Sequence, residues 1–385
     1  MSVLRKLIFS AWLEATEKSG RYTRTLQRWQ REPPDVAARR AEARLSETLL
    51  HAHRHNAWHR RRLDAAGVIR GDAVRLEALR DLPILERDDL RHRFDDLACD
   101  DRVKGTYEIN RSGGSTGEQV HFLQDRDYND WRRAAQFLIE SWAGYWYGMP
   151  KVLLWGSAED LMIGHETVRA KIGRWLRNET WLSAFDMTSE RMAGYLDRID
   201  TARPYAIHAY ADCVFELARA AIRMNRKVYR PRAVFTTAVT LFPHMREALE
   251  RAFGPTFNHY GAREVGPVAA ETTDHDGLMI IAPINHVEIL RPDGTPCDPG
   301  EPGEIIVTNL TNRTMPLIRY RIGDMASWKD PRSHTKVWPV LEKVLGRTDD
   351  MIRLRDGRIV PPETMIFLLV ILLNNDNWIE RSQVH

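Results

Sequence analysis

The chain has 385 residues, 43% of them hydrophobic and 28% charged, an ordinary balance for a soluble globular protein with room for two or three cores. A formal net charge of +3 over that length gives no reason to expect a nucleic-acid partner. Three widely spaced cysteines (Cys99, Cys213, Cys297) form neither a disulfide framework nor a metal knuckle, which suits a reducing, cytoplasmic setting.

In chain order, Arg5 and Lys6 precede an apolar run, Leu7 to Leu13, that Ser10 breaks and Glu14 closes. No small-residue cleavage site follows, which argues against a secretory signal, and the spacing of Val3, Leu4, Leu7, Ile8 and Ala11 predicts a helix packed on the body. Asp35, after Pro33-Pro34, is a candidate helix cap, and Ala41, Leu45, Leu49 and Ala52 continue one apolar face. His51, His55 and His59 recur every four residues, with His53 on another side. Metal binding is conceivable, but a solvated basic face is the expectation: Arg54, Arg60, Arg61 and Arg62 crowd the segment, and no carboxylate or cysteine accompanies it.

Next comes Arg111-Ser112-Gly113-Gly114-Ser115-Thr116-Gly117-Glu118, between extended segments Gly105 to Asn110 and Gln119 to Leu123. Such a loop can offer several backbone N–H groups and hydroxyls to one anion; taken alone it is also an ordinary turn. It is not a Walker A loop, because no Lys-Ser or Lys-Thr pair follows. A helix is predicted from Tyr128 to Trp142 and a buried strand from Lys151 to Trp155. His165-Glu166 fails as a zinc-protease motif, since the position four after His165 is Arg169.

From Thr188 strands and helices alternate. Thr188 and Ser189 cap a helix that Pro204 ends; Tyr205 to Ala209, Ala233 to Thr237 and Thr256 to Tyr260 read as strands. Ala211 to Asn225 and the segment opened by Pro243 read as the helices between them. That order predicts right-handed crossovers and a parallel sheet, with ligands beyond the strands' carboxyl ends, where Tyr260-Gly261 falls. Past residue 280 the strand-like segments His286 to Leu290 and Glu304 to Asn309, separated by Pro/Gly-rich turns, fit a small antiparallel or barrel-like unit. Met365 to Leu373 is apolar but too short to span a bilayer, so no stable membrane insertion is expected.

Three further stretches exceed any packing need: Tyr260-Gly261-Ala262-Arg263-Glu264-Val265-Gly266, Arg319-Tyr320-Arg321-Ile322-Gly323-Asp324, and Gly346-Arg347-Thr348-Asp349-Asp350 with Arg358 beyond it. Singly, each has a dull explanation as a surface ion pair or a solvated turn. Together and in this order they resemble the adenylate-forming superfamily of acyl-CoA synthetases, and within it the phenylacetate–CoA ligase family and its capsule-associated relatives. Met315-Pro316-Leu317-Ile318, Asn56 to Gly67 and Leu82-Pro83-Ile84-Leu85 carry the same resemblance, which covers nearly the whole chain.

The resemblance implies an α/β fold. It comprises a large N-terminal domain of parallel sheets flanked by helices (a helical part at 1–100 and an α/β core at 101–278), a small β-barrel-like unit at 279–346, and the start of a C-terminal lid at 347–385. It implies ATP, Mg²⁺ and coenzyme A as cofactors and a small-molecule carboxylic acid as substrate. A homodimer is compatible with it. Ser112, Gly113, Gly114, Ser115, Thr116 and Gly117 would wrap the β- and γ-phosphates. Tyr260 with Gly261 and Ala238 would lie against the base, Asp324 and Arg347 would hold the ribose, and Arg263 would stand near the phosphates. Glu264 would hold Mg²⁺, Arg358 would meet the phosphates, and Asp349 would be the lid hinge. Thr116, Glu264 and Arg358 are the expected catalytic residues.

Three departures qualify these roles. Arg263 stands where many members carry Ser or Thr, and Glu118-Gln119 replaces a common Lys-Pro. The sequence ends at His385, short of the position where the family's lid lysine is expected, so no residue takes that role. The segment Ser333 to Trp338 lacks the cysteine cluster of many capsule-type relatives, so no zinc is expected there. If Trp142, Tyr145, Trp146, Trp155, His208, Tyr210 and Thr236 to Thr240 line the acid pocket, a flat aryl or arylacetic acid fits better than a long acyl chain. The expected reaction is acyl-adenylate formation followed by transfer to coenzyme A. Transfer to an amine or hydroxyl, and non-catalytic nucleotide binding, are the alternatives.

Overall fold

A computed structural model describes residues 17–112, 120–156, 175–348, 352–353 and 359–360. Its N-terminal part is helical: α1 (Ser19–Trp29), α2 (Pro34–His55) and α3 (Ala57–Ala65). A short ribbon, β1 (Ile69–Arg70) and β2 (Ala73–Val74), then leads to α4 (Arg87–His92) and α5 (Phe94–Leu97). The cap of α2 is Pro33; Asp35 lies inside the first turn, where a carboxylate suits the helix dipole. Leu45, Leu49 and Ala52 are buried, as their spacing predicts.

The histidine stripe does not run on as one face. At Asn56 the chain turns extended, and the Asn56 side chain accepts a hydrogen bond from the His59 backbone N–H at 2.8 Å to start a new helix. His59 is fully buried, with Nε2 3.0 Å from the Pro316 carbonyl oxygen, so the expectation of a solvated basic face fails there. Desolvation, with Arg62 adding to it, pushes the His59 pKa down to about 3.

β3 (Tyr107–Arg111) and β4 (His121–Asp125) pair antiparallel. Asp125 then caps α6 (Arg126–Trp142): Oδ1 accepts from Tyr128 N at 2.7 Å, while Oδ2 accepts from Arg313 N at 3.0 Å and Thr314 N at 3.1 Å. One carboxylate so fixes both a helix start and a distant loop. Tyr128, Trp131, Ala135, Leu138 and Ile139 form the buried stripe of α6, which packs on Leu26, Ala270, Met279 and Ile281.

Apart from β6, which the sequence reading did not single out, the alternation that follows matches that reading: β5 (Lys151–Trp155), β6 (Glu179–Ser183), α7 (Ser189–Ala202), β7 (Ala206–Tyr210), α8 (Ala211–Arg223), β8 (Ala233–Thr237), α9 (Pro243–Ala252) and β9 (Thr256–Ala262). These strands pair in parallel, in the order β6-β5-β7-β8-β9. The other strands of this sheet are antiparallel: β10 (Gly266–Glu271), β11 (Leu278–Ile280), β12 (Asn285–Leu290), β13 (Pro302–Asn309), β14 (Tyr320–Trp328) and β15 (Val340–Arg347). All join one 11-stranded sheet, β12-β13-β14-β15-β11-β10-β9-β8-β7-β5-β6. β9 is the seam, parallel to β8 on one edge and antiparallel to β10 on the other. Among the described residues no helix is long and apolar enough to cross a membrane.

Two interior ionic contacts tie distant parts together. Lys151 Nζ lies 3.0 and 3.2 Å from the two Glu140 oxygens, and His208 Nδ1 lies 3.4 Å from Glu140 Oε1. Burial alone would raise the Glu140 pKa, but Lys151 and His208 overcome it and hold it near 2. Arg319, at φ 52° and buried, grips Glu288 through Nε and Nη2 at 3.0 Å each and donates from Nη1 to the carbonyls of Arg80 (2.8 Å) and Leu82. The Arg319-Tyr320-Arg321 stretch therefore begins with a structural clamp. Beside it, Leu85 N donates to Arg319 O at 2.8 Å and Arg321 N donates to Leu85 O at 3.0 Å, joining the segment before α4 to β14.

His259, on β9, shares the burial of His59 and is likewise pushed down to about 3 by desolvation. Both folded-state values lie below the ordinary 6.5, so the stabilisation is complete above pH 6.5 and is lost as pH falls toward 3. Between pH 7 and pH 5 the loss should be on the order of 2 kcal/mol per histidine. Urea unfolding at the two pH values measures it, and His59→Asn should shrink the difference; equal midpoints in the parent would contradict the burial of neutral imidazoles.

Candidate active site

The β9–β10 turn carries Glu264, and three side-chain amides hold it. Gln124 Nε2 donates to Arg263 O at 2.9 Å, Asn309 Nδ2 to Val265 O at 3.2 Å, and Asn285 Nδ2 to Pro267 O at 2.8 Å. Asn309 also donates to Asn285 Oδ1 at 3.0 Å, and Gln124 Oε1 accepts from Asn110 on β3 at 2.9 Å. Gly261 is required for the strands to close: a Cβ there would sit 2.5 Å from the Gly266 carbonyl oxygen and 3.0 Å from Pro267 Cα.

Glu264, only 7% exposed, has the Arg87 guanidinium beside it, with Nη1 3.6 Å from Oε1. Arg87 Nη2 donates to Ser112 Oγ at 2.7 Å, and Arg87 Nε has no hydrogen-bond partner among the described residues. Ser112 is buried and is the last described residue before the glycine-rich segment. Arg87 was missed by sequence reasoning. Its only signal was its place two residues after the Leu82-Pro83-Ile84-Leu85 stretch, whose pairing with β14 brings it here.

On β14 and β15, Asp324 and Arg347 are cross-strand partners, with Arg347 Nε 3.4 Å from Asp324 Oδ1. Arg347 Nη1 also donates to Ile322 O at 3.0 Å. The Tyr260 hydroxyl donates to Asp324 Oδ2 at 2.8 Å, and burial together with the Asp324 charge pushes the phenol pKa well above its ordinary range, which keeps it a donor. Ala238, just past β8, has φ 72°, a left-handed conformation costing a residue with a Cβ about 1–2 kcal/mol.

One cleft of about 550 Å³ is lined by Arg87, Ser112, Ala238, Tyr260, Gly261, Arg263, Glu264, Asp324 and Arg347. All the sequence-predicted site residues that the structure describes therefore meet in one hollow. Gly113, Gly114, Ser115, Thr116, Gly117, Asp349, Arg358 and the Met365 to Leu373 run lie outside the described residues. Arg263 Nη1 donates to Arg111 O at 3.3 Å.

Val239, Thr240, Phe242 and His259 also line the cleft. His259 is a second residue the sequence reading passed over; neither of its ring nitrogens has a hydrogen-bond partner among the described residues. The expected aromatic walls divide differently. Trp142 donates to Gln30 and packs in the α1–α6 core, Tyr145 is buried under Lys151, Trp146 packs on Tyr147, and none of the three lines the cleft. Trp155, Tyr210 and His208 cluster behind His259, with Trp155–Tyr210 ring centroids 4.4 Å apart and His208–His259 centroids 5.6 Å apart.

The fold is shared with a solved acyl-CoA ligase. The crystal structure of 2-hydroxyisobutyryl-CoA ligase in the postadenylation state, in complex with R3-HIB-AMP, superposes with a TM-score of 0.71 at 20% identity, over 89% of this chain and 74% of that one. In sequence, the chain is similar to phenylacetate–CoA ligases and to CapK. It is 28% identical to the phenylacetate-coenzyme A ligase of Escherichia coli K12, over 83% of this chain and 73% of that protein. It is 25% identical to Protein CapK of Staphylococcus aureus over 75% of this chain, and the match spans 63% of the length of CapK. No protein-family model matches the chain.

Asn309→Ala would leave the Val265 carbonyl and the Asn285 amide oxygen without their donor, and the Thr311 and Asn312 backbone N–H groups without their acceptor, in a buried site. An unfolding free energy lower by at least about 2–4 kcal/mol is expected, since several buried groups lose a partner at about 1–3 kcal/mol each and some of them relax toward water. Denaturant unfolding reads it; a loss under about 0.5 kcal/mol would mean that the turn does not depend on this amide.

Proposed function

We propose that this chain activates a carboxylic acid with ATP, forming an acyl-adenylate and pyrophosphate, and then passes the acyl group to the thiol of coenzyme A with release of AMP. The observation that carries this reading is the single cleft in which Arg87, Ser112 and Glu264 share walls with Tyr260, Asp324 and Arg347. A carboxylate oxygen must attack the α-phosphorus while the bond to the pyrophosphate oxygen breaks, so negative charge approaches negative charge and then leaves. Arg87, whose Nε–H has no partner among the described residues, is the cation placed to receive that charge, and Ser112 continues the same wall toward the glycine-rich segment.

Asp324 would accept the ribose hydroxyls. Asp324 accepts from Tyr260 and faces Arg347, and a carboxylate offers about four acceptor positions in all. Tyr260 would present its ring to the base and Ala238 the strained backbone beside it. Thr116 and Arg358 would complete the phosphate contacts. Mg²⁺ fits Glu264: one buried carboxylate, paired by a single guanidinium at 3.6 Å, is the hard oxygen ligand this ion takes alongside phosphate. When bound it would neutralise part of the triphosphate charge. The names of the Escherichia coli relative and of other matched phenylacetate-coenzyme A ligases support coenzyme A as acceptor and an aryl or arylacetic acid as substrate. His259 offers a polar group on that acid one N–H donor and one acceptor.

Calorimetric titration with ATP and with AMP tests the nucleotide site. Asp324→Ala should weaken both by roughly 10–100-fold, the worth of one or two charge-assisted hydrogen bonds; because it also removes the acceptor of the Tyr260 hydroxyl, the titrations are run well below the variant's own unfolding midpoint. Arg87→Met should weaken ATP more than AMP, since AMP lacks the outer phosphates. Equal binding by parent and Asp324→Ala would overturn the site. AMP release that needs an amine or hydroxyl acceptor in place of coenzyme A would keep the adenylation and replace the second half-reaction.

A further inference from the structure

The histidines of α2 acquire in three dimensions the partners that their sequence neighbourhood lacks. The loop after α5 lays Cys99, Asp100 and Asp101 against the last turns of α2. Asp100 N donates to His55 O at 2.8 Å, Cys99 N donates to Thr314 O at 2.9 Å, and Asn56 Nδ2 holds the carbonyls of Asp96 and Ala98 at 2.9 and 3.2 Å. The backbone so fixes the loop before any side chain is considered. Two triads result, His51–Cys99–Asp101 and His55–Asp100–Asp101, and within each the ligating atoms lie within 4.8 Å of one another.

We propose that His51, Cys99 and Asp101 bind a divalent transition-metal ion of the zinc class, with His55 and Asp100 at the rim sharing the Asp101 carboxylate. A second observation points to a cation. His51 Nε2 lies 3.0 Å from the Arg313 carbonyl oxygen, which can only accept, so Nε2 carries the proton. In the neutral ring the lone pair is then on Nδ1, which stands 4.0 Å from Asp101 Oδ2. Two acceptors thus face each other across a gap too long for a hydrogen bond. Two atoms each ~2.1 Å from a tetrahedral ion are ~3.4 Å apart, so a shift of a few tenths of an ångström closes the site. The carbonyl contact behind His51 is the orientation that metal-ligating imidazoles have in general.

His55 lies beside this pair but differs from it: Nδ1 is hydrogen-bonded to Asp100 Oδ1 at 3.3 Å and stands 3.8 Å from Asp101 Oδ2, with its ring centroid 4.9 Å from that of His51. One sulfur, one imidazole nitrogen and one carboxylate favour zinc or cobalt over magnesium or calcium. Binding releases the Cys99 thiol proton to solvent. The ion would pin the end of α2 to the loop that leads into β3, whose far end carries Ser112. None of these residues lines the cleft, so the proposal stands apart from the adenylation reading.

Cobalt(II) titration of the metal-free protein tests it. The parent should bind one ion with tetrahedral visible bands and a near-ultraviolet thiolate-to-cobalt band. Zinc should displace cobalt and raise the melting temperature. Cys99→Ser should abolish the charge-transfer band, whereas Cys213→Ser and Cys297→Ser should leave it. Asp101→Asn, a nearly isosteric change at a partly exposed side chain, should weaken zinc at least about tenfold, the loss seen even for outer-shell partners. The proposal is overturned by no cobalt spectrum in the parent, which leaves two histidine–aspartate ion pairs. It is equally overturned by a spectrum and affinity unchanged in both Cys99→Ser and Asp101→Asn.

Discussion

Three amide side chains gripping the carbonyls of residues 263, 265 and 267 are the contact on which the cleft depends. The turn they hold sits where the sheet changes direction, with β9 parallel to β8 and antiparallel to β10. A turn at such a seam cannot satisfy its carbonyls with a regular ladder, and buried carbonyls left unpaired are costly. Gln124, Asn285 and Asn309 supply the missing donors from three different strands. The backbone on both sides of Glu264 is thereby hydrogen-bonded, although it lies in a connection.

The second organising feature is the bridge between Leu85 and Tyr320. It converts a segment far back in the chain into a neighbour of β14, and α4 starts two residues later, with its first residue, Arg87, in the cleft. Arg319 stabilises this arrangement by holding the carbonyls of Arg80 and Leu82 while paired to Glu288. The cation beside Glu264 and the aspartate that pairs with Arg347 so both depend on β14, one through its first residues and the other through its centre.

The parallel half of the fold was legible because its signals are local. Thr188 caps α7, Pro243 opens α9, and β8 occupies the residues its apolar run marks. The Tyr260, Glu264, Asp324 and Arg347 motifs stood out too, although Val265, Tyr320 and Ile322 within them are core residues. Arg87 was not, because its partners are created by a pairing across more than two hundred residues, and one arginine among many carries no mark in sequence. The burial of His59 was hidden for the opposite reason: the four-residue spacing of the histidines continues smoothly through Asn56, where the helix does not. Cys99 and Asp101 looked unrelated to His51 for want of any local clue to the loop's path.

Gln124 shows what the chemistry of a single atom decides here. Its oxygen is committed to Asn110 in β3 and its nitrogen to the Arg263 backbone, so the strand that enters the glycine-rich segment and the turn that bears Glu264 are linked by one rigid amide. A glutamate of the same length could still accept from Asn110, but it would turn an oxygen toward the Arg263 carbonyl and repel it. Of the side chains with this reach, the amide alone can couple the two, so displacement of either hairpin is passed to the other through a planar group three atoms wide.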